Sequence, residues 1–454
     1  MRSHTGRIAS GLALGSLVFG FLKPASVWAQ DAAAPVAAAA AAVPKIDTGD
    51  TAWVLISTAL VMLMTPGLAF FYGGLVRKKN VLSILMQCFV ILGLISVQWV
   101  LFGYSLAFGP DIKGLIGSLK WAGLAHVGVD PYPDYSATIP HQAFMIFQMM
   151  FAVITPALIL GAFAERMKFS AFCVFSLLWA TLVYDPVAHW VWGVGGFLRN
   201  GGALDFAGGT VVHINAGMAA LAAALVLGKR QGYPDRMSPP HSLPLAVLGA
   251  ALLWFGWFGF NAGSALGANG LAVSAFVATH TATAAAALVW AILDWIFNSR
   301  PTVLGTITGA VAGLVAITPA AGFVTPLGSI AIGIGASAFC YIAVTFVKAK
   351  LGYDDSLDAF GVHGVGGIWG ALATGLWATK AVNSAGADGL FHGNPGQFLI
   401  QIKAVLITMV FSFVASLILF KLVDMVMGLR VNEQDERIGL DLTQHREAGY
   451  TMLE

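Results

Sequence analysis

Two histidines stand in apolar sequence at corresponding places of a two-fold pattern. His213 lies in Asp205-Phe-Ala-Gly-Gly-Thr-Val-Val-His213-Ile-Asn215, and His363 in Asp358-Ala-Phe-Gly-Val-His363-Gly-Val-Gly-Gly367. Each follows an aspartate at a helix start and sits among glycine and small apolar residues. A neutral imidazole offers one donor and one acceptor nitrogen, so a pair of them can hold a small polar molecule and pass a proton. An ionisable side chain inside a membrane span is costly and marks a functional site by default. Two of them at matching places in two halves of the chain point to a site at a repeat interface.

Three further groups carry chemistry: Phe147-Gln-Met-Met-Phe151, His189-Trp-Val-Trp192, and Trp257-Phe-Gly-Phe260-Asn-Ala-Gly-Ser264. Aromatic residues near a membrane face usually form the interfacial belt. Together with a serine hydroxyl they can also build a small cation site. Each aromatic face contributes about 0.5–2 kcal/mol by cation–π attraction, and the hydroxyl adds an acceptor. No carboxylate is needed.

The elements that must position these residues are membrane helices. The chain is 58% hydrophobic and 10% charged, with mean hydropathy +0.80, far from the roughly 25% charge of a soluble domain. A net charge of +2 leaves no basic surface for nucleic acid. Cys88, Cys173 and Cys340 sit in apolar runs without metal or redox spacing, and read as small core residues. With about 20 apolar residues needed per crossing, eleven spans are predicted. They cover 52–74, 81–109, 141–163, 168–190, 206–228, 242–262, 271–295, 302–319, 326–347, 358–379 and 399–427. Residues 1–29 read as a signal peptide, with Arg2 and Arg7 ahead of an apolar run and small residues before a cut after Ala29. An uncleaved anchor helix is the alternative. An Ala/Pro-rich flexible lead covers 30–50, the membrane domain 51–429 and a tail 430–454.

Positive charge orients the spans. Arg77, Lys78, Lys79, Arg166, Lys168, Lys229, Arg230, Arg236, Arg300, Lys348 and Lys350 cluster in alternate loops. Those loops read as cytoplasmic, with a periplasmic N-terminus and a cytoplasmic C-terminus. Five spans bring the chain to the opposite face, so a second set of five must be inverted, with one span left over.

The stretches Phe71-Tyr-Gly-Gly-Leu-Val-Arg77, Gly161-Ala-Phe-Ala-Glu-Arg166, Asp205 to His213, Gly256 to Ser264, and Phe360-Gly-Val-His-Gly364 resemble those of the Amt/Rh ammonium transporter family. The similarity is to its bacterial Amt branch, over about residues 50–450. It implies an all-α integral membrane fold, with two inverted five-helix repeats plus one extra helix, assembled as a homotrimer with a pore in each subunit. Carried onto this chain, it places an outer ammonium site at Phe151, Trp192 and Ser264, and a gate of stacked rings at Phe151 and Phe260. It makes His213 and His363 the twin pore histidines. Asp205 and Trp257 become structural residues near the outer site.

The implied activity is uptake of ammonium or ammonia, and of methylammonium, across the bacterial inner membrane. No cofactor, no metal and no catalysis are implied. Gly428-Leu-Arg-Val, Glu433 to Glu436, Gly439-Leu-Asp441 and His445 match the family's regulatory tail and imply docking of a PII-type signal protein, where composition alone would give a solvated charge run. His280, His141, His189 and Pro156 depart from the pattern. His280 reads as a packing residue, Pro156 as an interruption of the third span, and Asp358 and Glu165 as helix caps.

Physical chemistry supplies a mechanism for this reading. Burying a bare cation costs more than one or two aromatic contacts return. Removing a proton from ammonium costs about 3 kcal/mol if its pKa lies about 2 units above ambient pH. Splitting the ion and passing neutral ammonia is the cheaper route, and it is closed to Na⁺ or K⁺. Two other classes compete. An ammonium sensor signalling through a PII-type partner calls for a larger C-terminal domain than this tail. An intramembrane zinc enzyme calls for a third protein ligand beside the two histidines.

Overall fold

A computed structural model describes residues 44–235 and 239–450. The signal peptide 1–29, residues 30–43 of the lead, and residues 451–454 of the tail lie outside the described residues. The first helix begins at Thr48, inside the segment expected to be flexible, because the Asp47 carboxylate accepts from the Asp50 N–H and caps it.

Among the described residues nine helices are long and apolar enough to cross a membrane. They are α1 (Thr48–Leu75), α2 (Lys78–Phe108), α3 (His141–Phe163), α4 (Phe169–Asn200), α5 (Gly209–Leu227), α6 (Leu243–Ala265), α7 (Gly270–Asn298), α9 (Pro326–Leu351) and α11 (Pro395–Met427). Helix α8 (Val303–Ile317) is apolar but shorter. Helix α10 runs over 360–377, as a π-helical turn Phe360–Gly364 followed by Val365–Trp377. Its histidine and its glycines dilute the hydropathy. Every predicted span thus coincides with a helix.

Pro156 does not interrupt α3, which runs unbroken from His141 to Phe163. Membrane helices tolerate proline where neighbours enclose the freed carbonyl, and α3 is almost wholly enclosed. Helix α5 is enclosed as well, whereas only 33% of the spanning stretch of α7 and of α11 is buried. The centre of the molecule is therefore α3 and α5. Helix α1 lies along α6, α7 against α8 and α9, and α11 against α5. Two short antiparallel hairpins, Asp111–Ile112 with Ile116–Gly117 and Pro131–Tyr132 with Ser136–Pro140, fold the loop between α2 and α3.

The halves repeat each other where it matters. Helix α5 opens with a π-helical turn, Gly209–Ile214, and continues for 13 residues; α10 opens with Phe360–Gly364 and also continues for 13. They cross where a Cβ on Gly217 would stand 2.2 Å from the Gly364 Cα. Only glycine allows so close an approach of two backbones. After α11 the tail forms α12 (Glu433–Ile438) and α13 (Leu440–His445).

Candidate functional site

The crossing of α5 and α10 brings the two histidines together. His213 and His363 are both buried, their Nδ1 atoms are 3.3 Å apart, and their rings are near parallel at 16°. One proton between the two Nδ1 atoms makes one ring donor and the other acceptor, with both neutral. Nε2 of His213 is buried without a protein partner. Both rings border a cavity in which the centre of one water-sized molecule has about 10 Å³ to move. Apart from the histidines and Trp257, its walls are aliphatic, thioether or phenyl groups, among them Met64, Ile154, Leu158 and Val311.

Each histidine is held by an aspartate eight residues earlier. The Asp205 carboxylate accepts from the N–H groups of Gly208, Gly209, Thr210 and Val211 at 2.7–3.1 Å. In the second half that role falls to Asp355, which accepts from Ala359, Phe360 and Gly361 at 2.8–3.4 Å. Such clusters satisfy the free donors of a helix start and complement its dipole. Burial pushes the Asp355 carboxyl up to about 6, against the pull of Lys348.

Asp358, expected to be the cap, is displaced from it. Its backbone is left-handed at φ 58°, and its carboxylate turns away to pair with Lys348 at 2.6 Å. The repeated spacing, an aspartate eight residues before each histidine, is visible in the sequence and identifies Asp355.

Glu165 is not a helix cap either. It is buried and binds the Arg77 N–H, Arg77 Nε and the Asn80 amide with one oxygen, and Arg230 with the other. Arg230 in turn makes a bidentate pair with Asp354. Burial raises the Glu165 and Asp354 carboxyls, but the guanidinium groups outweigh it and hold both below their ordinary values. The tail is built into this network. Val431 N–H donates to Arg166 O, Leu440 N–H to Asn80 Oδ1, and Ser83 N–H to Asp441 Oδ1. Glu436, Leu440 and Asp441 are buried. A solvated charge run would leave them in water.

On the side of the histidine pair away from these arginines lie the aromatic residues. Phe151 and Phe260 are buried and stand 4.2 Å apart between centroids, tilted by 39°. Phe260 is 6.1 Å from His213. Trp192 meets Phe151 edge-on at 5.8 Å and donates its indole N–H to Asp205 O. Ser264 is half-buried, and its hydroxyl donates to Phe260 O, leaving its lone pairs free. Trp257 lies elsewhere than expected. It is stacked on His213 at 5.4 Å, on the histidine side of the two phenyl rings, with its N–H held by Thr318. The sequence pattern named this tryptophan but gave no sign of which side of Phe260 it occupies.

The three histidines that depart from the family pattern lie outside this cluster. His141 bonds the Tyr104 hydroxyl at 2.6 Å, and His189 bonds Ala107 O and Asp111. His280 is exposed on the chain's outer surface against Trp254 and is not an interior packing residue. Among the described residues no three histidine, cysteine, aspartate or glutamate side chains gather as a metal site.

The chain as a whole is similar to known proteins. A sequence model of the Ammonium Transporter Family matches residues 52–450. The ammonium transporter of Bacillus subtilis is 57% identical over 402 residues, covering 88% of this chain and 98% of that protein. Ammonium transporter Amt1 of Archaeoglobus fulgidus is 50% identical, covering 89% and 99%. The crystal structure of Candida albicans Mep2 superposes with a TM-score of 0.81 at 36% identity, covering 86% of this chain and 88% of that one. A structure named Sensor Amt Protein matches with a TM-score of 0.80 at 31% identity, covering 87% and 98%. With a family model matched over residues 52–450 and relatives of 50% and 57% identity covered over nearly their whole length, the chain belongs to the ammonium transporter family.

Proposed function

We propose that this chain takes up ammonium by recruiting the ion at Phe151, Trp192 and Ser264, removing a proton, and passing ammonia between Phe151 and Phe260 to the histidine pair. The observation that carries the reading is the contact of His213 and His363 inside an otherwise apolar cavity of single-molecule size. A dehydrated cation in such a space loses its hydration without recovering it from the walls. Ammonia loses far less, and finds one acceptor and one donor nitrogen on the imidazoles.

In this reading α8 and α10 complete eleven crossings. The aromatic end faces the periplasm and the arginine-rich end faces the cytoplasm of the inner membrane, as the positive-inside bias favours. The assembly is a homotrimer in which each chain holds its own path. The docked tail is the surface for a PII-type signal protein. A sensing role is a second reading, favoured by the likeness to the structure named Sensor Amt Protein.

The test compares ammonium, methylammonium and K⁺ pulses on purified protein in supported membranes and proteoliposomes, for wild type and His213→Asp. The carboxylate replaces a neutral relay with a fixed negative charge, so the variant is expected to admit K⁺ or to lose transport. Equal ammonium transport and equal exclusion of K⁺ in both proteins would reduce the histidines to packing.

A further inference from the structure

His189 lies three residues before Trp192, in the last α-helical turn ahead of the glycine-rich break Gly193–Gly196 of α4. It has no solvent exposure, and the path above makes no use of it. Its Nδ1 stands 3.0 Å from the Ala107 carbonyl oxygen, and its Nε2 stands 2.8 Å from Asp111 Oδ1. A carbonyl oxygen can only accept. Asp111 Oδ1 also takes the Gly114 N–H at 2.8 Å, so it accepts twice and has no proton to give. Both ring nitrogens of His189 must therefore donate, and only the imidazolium carries two N–H groups. A neutral ring would turn one lone pair onto an oxygen. The charge is matched where it sits, because Asp111 is the partner of an ion pair.

No other histidine among the described residues is bonded in this way. His213 and His363 face each other, His141 faces a hydroxyl, and His241 faces one carbonyl and one hydroxyl, so each of these can stay neutral. The His189 clamp joins parts of the chain 78 positions apart, the hairpin that starts at Asp111 and the helix end that carries Trp192. Around it, Trp190 Nε1 donates to Leu115 O at 2.7 Å and the Val194 N–H to the Tyr135 hydroxyl at 3.2 Å. The fit is close. A Cβ on Gly193 would stand 2.5 Å from His189 Nδ1, and one on Gly195 would stand 2.5 Å from the Asp111 Cβ. The Gly193 N–H bonds back to His189 O at 3.0 Å, so the backbone on either side of Trp192 closes onto His189. Arg199 holds the Trp192 carbonyl at 2.7 Å, and Asp205 O holds its indole N–H at 2.9 Å.

We propose that His189 is a positioning residue for ammonium recruitment: as an imidazolium between Ala107 O and Asp111, it fixes the helix end that presents Trp192. The inference rests on the reading that Trp192 recruits the ion. His189 does not meet ammonium itself. Gly193, Gly195 and Gly196 leave the segment after Trp192 with more backbone freedom than any other residues would. Charge-assisted hydrogen bonds are roughly twice as strong as neutral ones and suit the restraint of such a segment. Pairing the imidazolium with Asp111 supplies that strength without a net positive charge, which would repel the ion.

The experiment uses the full chain in proteoliposomes. Nitrogen-15 NMR of histidine-labelled protein at about pH 7 distinguishes an imidazolium from either neutral tautomer, and the His189 signals are those missing from His189→Gln. Methylammonium uptake gives KM and the maximal rate, with Trp192→Leu as reference and native mass as the control for assembly. Wild type is expected to show His189 as an imidazolium. His189→Gln keeps one donor and loses the other; it should raise KM by about 3- to 10-fold, part of the effect of removing the Trp192 ring, and change the maximal rate by less than about 2-fold. Asp111→Asn keeps an acceptor oxygen and removes the counter-charge; it should convert the ring to a neutral form and raise KM in the same direction. The Asp111 side chain is 31% exposed, so this variant carries both readouts should His189→Gln fail to assemble. A neutral His189 in the wild type would overturn the proposal. So would a KM unchanged in both variants while Trp192→Leu raises it, or a loss confined to the maximal rate; the recruitment site would then stand without its clamp. An unchanged KM in Trp192→Leu would overturn the recruitment site and the clamp together.

Discussion

The crossing of α5 and α10 offers a perturbation whose size can be worked from the structure. In Gly217→Ala the new methyl would stand 2.2 Å from the Gly364 Cα and 2.3 Å from its N, both rigid backbone atoms. Ordinary contact begins at 3.4 Å, so the helices must part by about 1.2 Å (3.4 − 2.2). Applied to the histidines, that displacement stretches their 3.3 Å contact to about 4.5 Å, beyond hydrogen-bond reach. The cost is about 1–3 kcal/mol of overpacking and about 1 kcal/mol for the lost bond. Gly217→Ala is therefore expected to lower the thermal midpoint in detergent and to abolish most ammonium transport without touching a polar group. Gly93→Ala is the control. Its Cβ would meet nothing within 4 Å, and alanine gains up to about 1 kcal/mol over glycine in a helix. If Gly217→Ala transports like Gly93→Ala, contact between the two rings is not required, and the relay argument fails.

Other expectations follow from the same geometry. Trp192→Leu and Ser264→Ala should each weaken methylammonium affinity by several-fold in uptake assays with assembly intact, since a cation–π contact is worth about 0.5–2 kcal/mol; unchanged affinity in both would move the recruiting site elsewhere. Removing residues 430–454 strips Asn80 and Ser83 of their tail partners, so the truncated protein should still assemble, unfold at a lower temperature and escape inhibition by a PII-type protein. Persistent inhibition would show that the tail is not its docking surface. Glu165 and Asp354 are held below their ordinary values in the folded chain, so the unfolded chain takes up those protons first. Their stabilisation should be complete above about pH 5 and be lost as pH falls through the depressed values. Thermal unfolding between pH 8 and pH 3 checks this, and Glu165→Gln should flatten the acid limb.

Apolar runs and glycine-rich histidine stretches were enough to locate the helices and the histidine pair, because both are local properties of the sequence. What the sequence concealed was direction. Asp355 and Asp358 are three residues apart, and only the φ of 58° at Asp358 decides which carboxylate faces the helix start. Glu165 reads as a cap because it is acidic and close to a helix, yet its partners come from residues up to 88 positions away. Trp257 and Phe260 are one turn apart, and which of them faces the aromatic end depends on how α6 rotates against α1. The tail reads as a charge run in composition; it is a strap in three dimensions because its buried acids meet donors far away in the chain, Asp441 the N–H of Ser83 near the start of α2 and Glu436 that of Gln231 after α5.

The two-fold repeat also explains why the histidines can be neutral and precise at once. A π-helical turn has poor hydrogen-bond geometry and would fray if left to itself. Here each one is pinned at its start by a buried carboxylate eight residues before the ring, and at its far end by a glycine contact with the other helix. The negative charge needed to hold the turn is spent on backbone N–H groups and never reaches the cavity, whose walls stay apolar apart from two imidazoles and one indole. A carboxylate moved from the helix start into the cavity would orient the ring just as well, but it would also attract any monovalent cation. Placing the acids at the helix starts and the neutral rings at the cavity separates the work of positioning from the work of selection. On the proposed reading, that separation lets the same chain be rigid where it binds and uncharged where ammonia would pass.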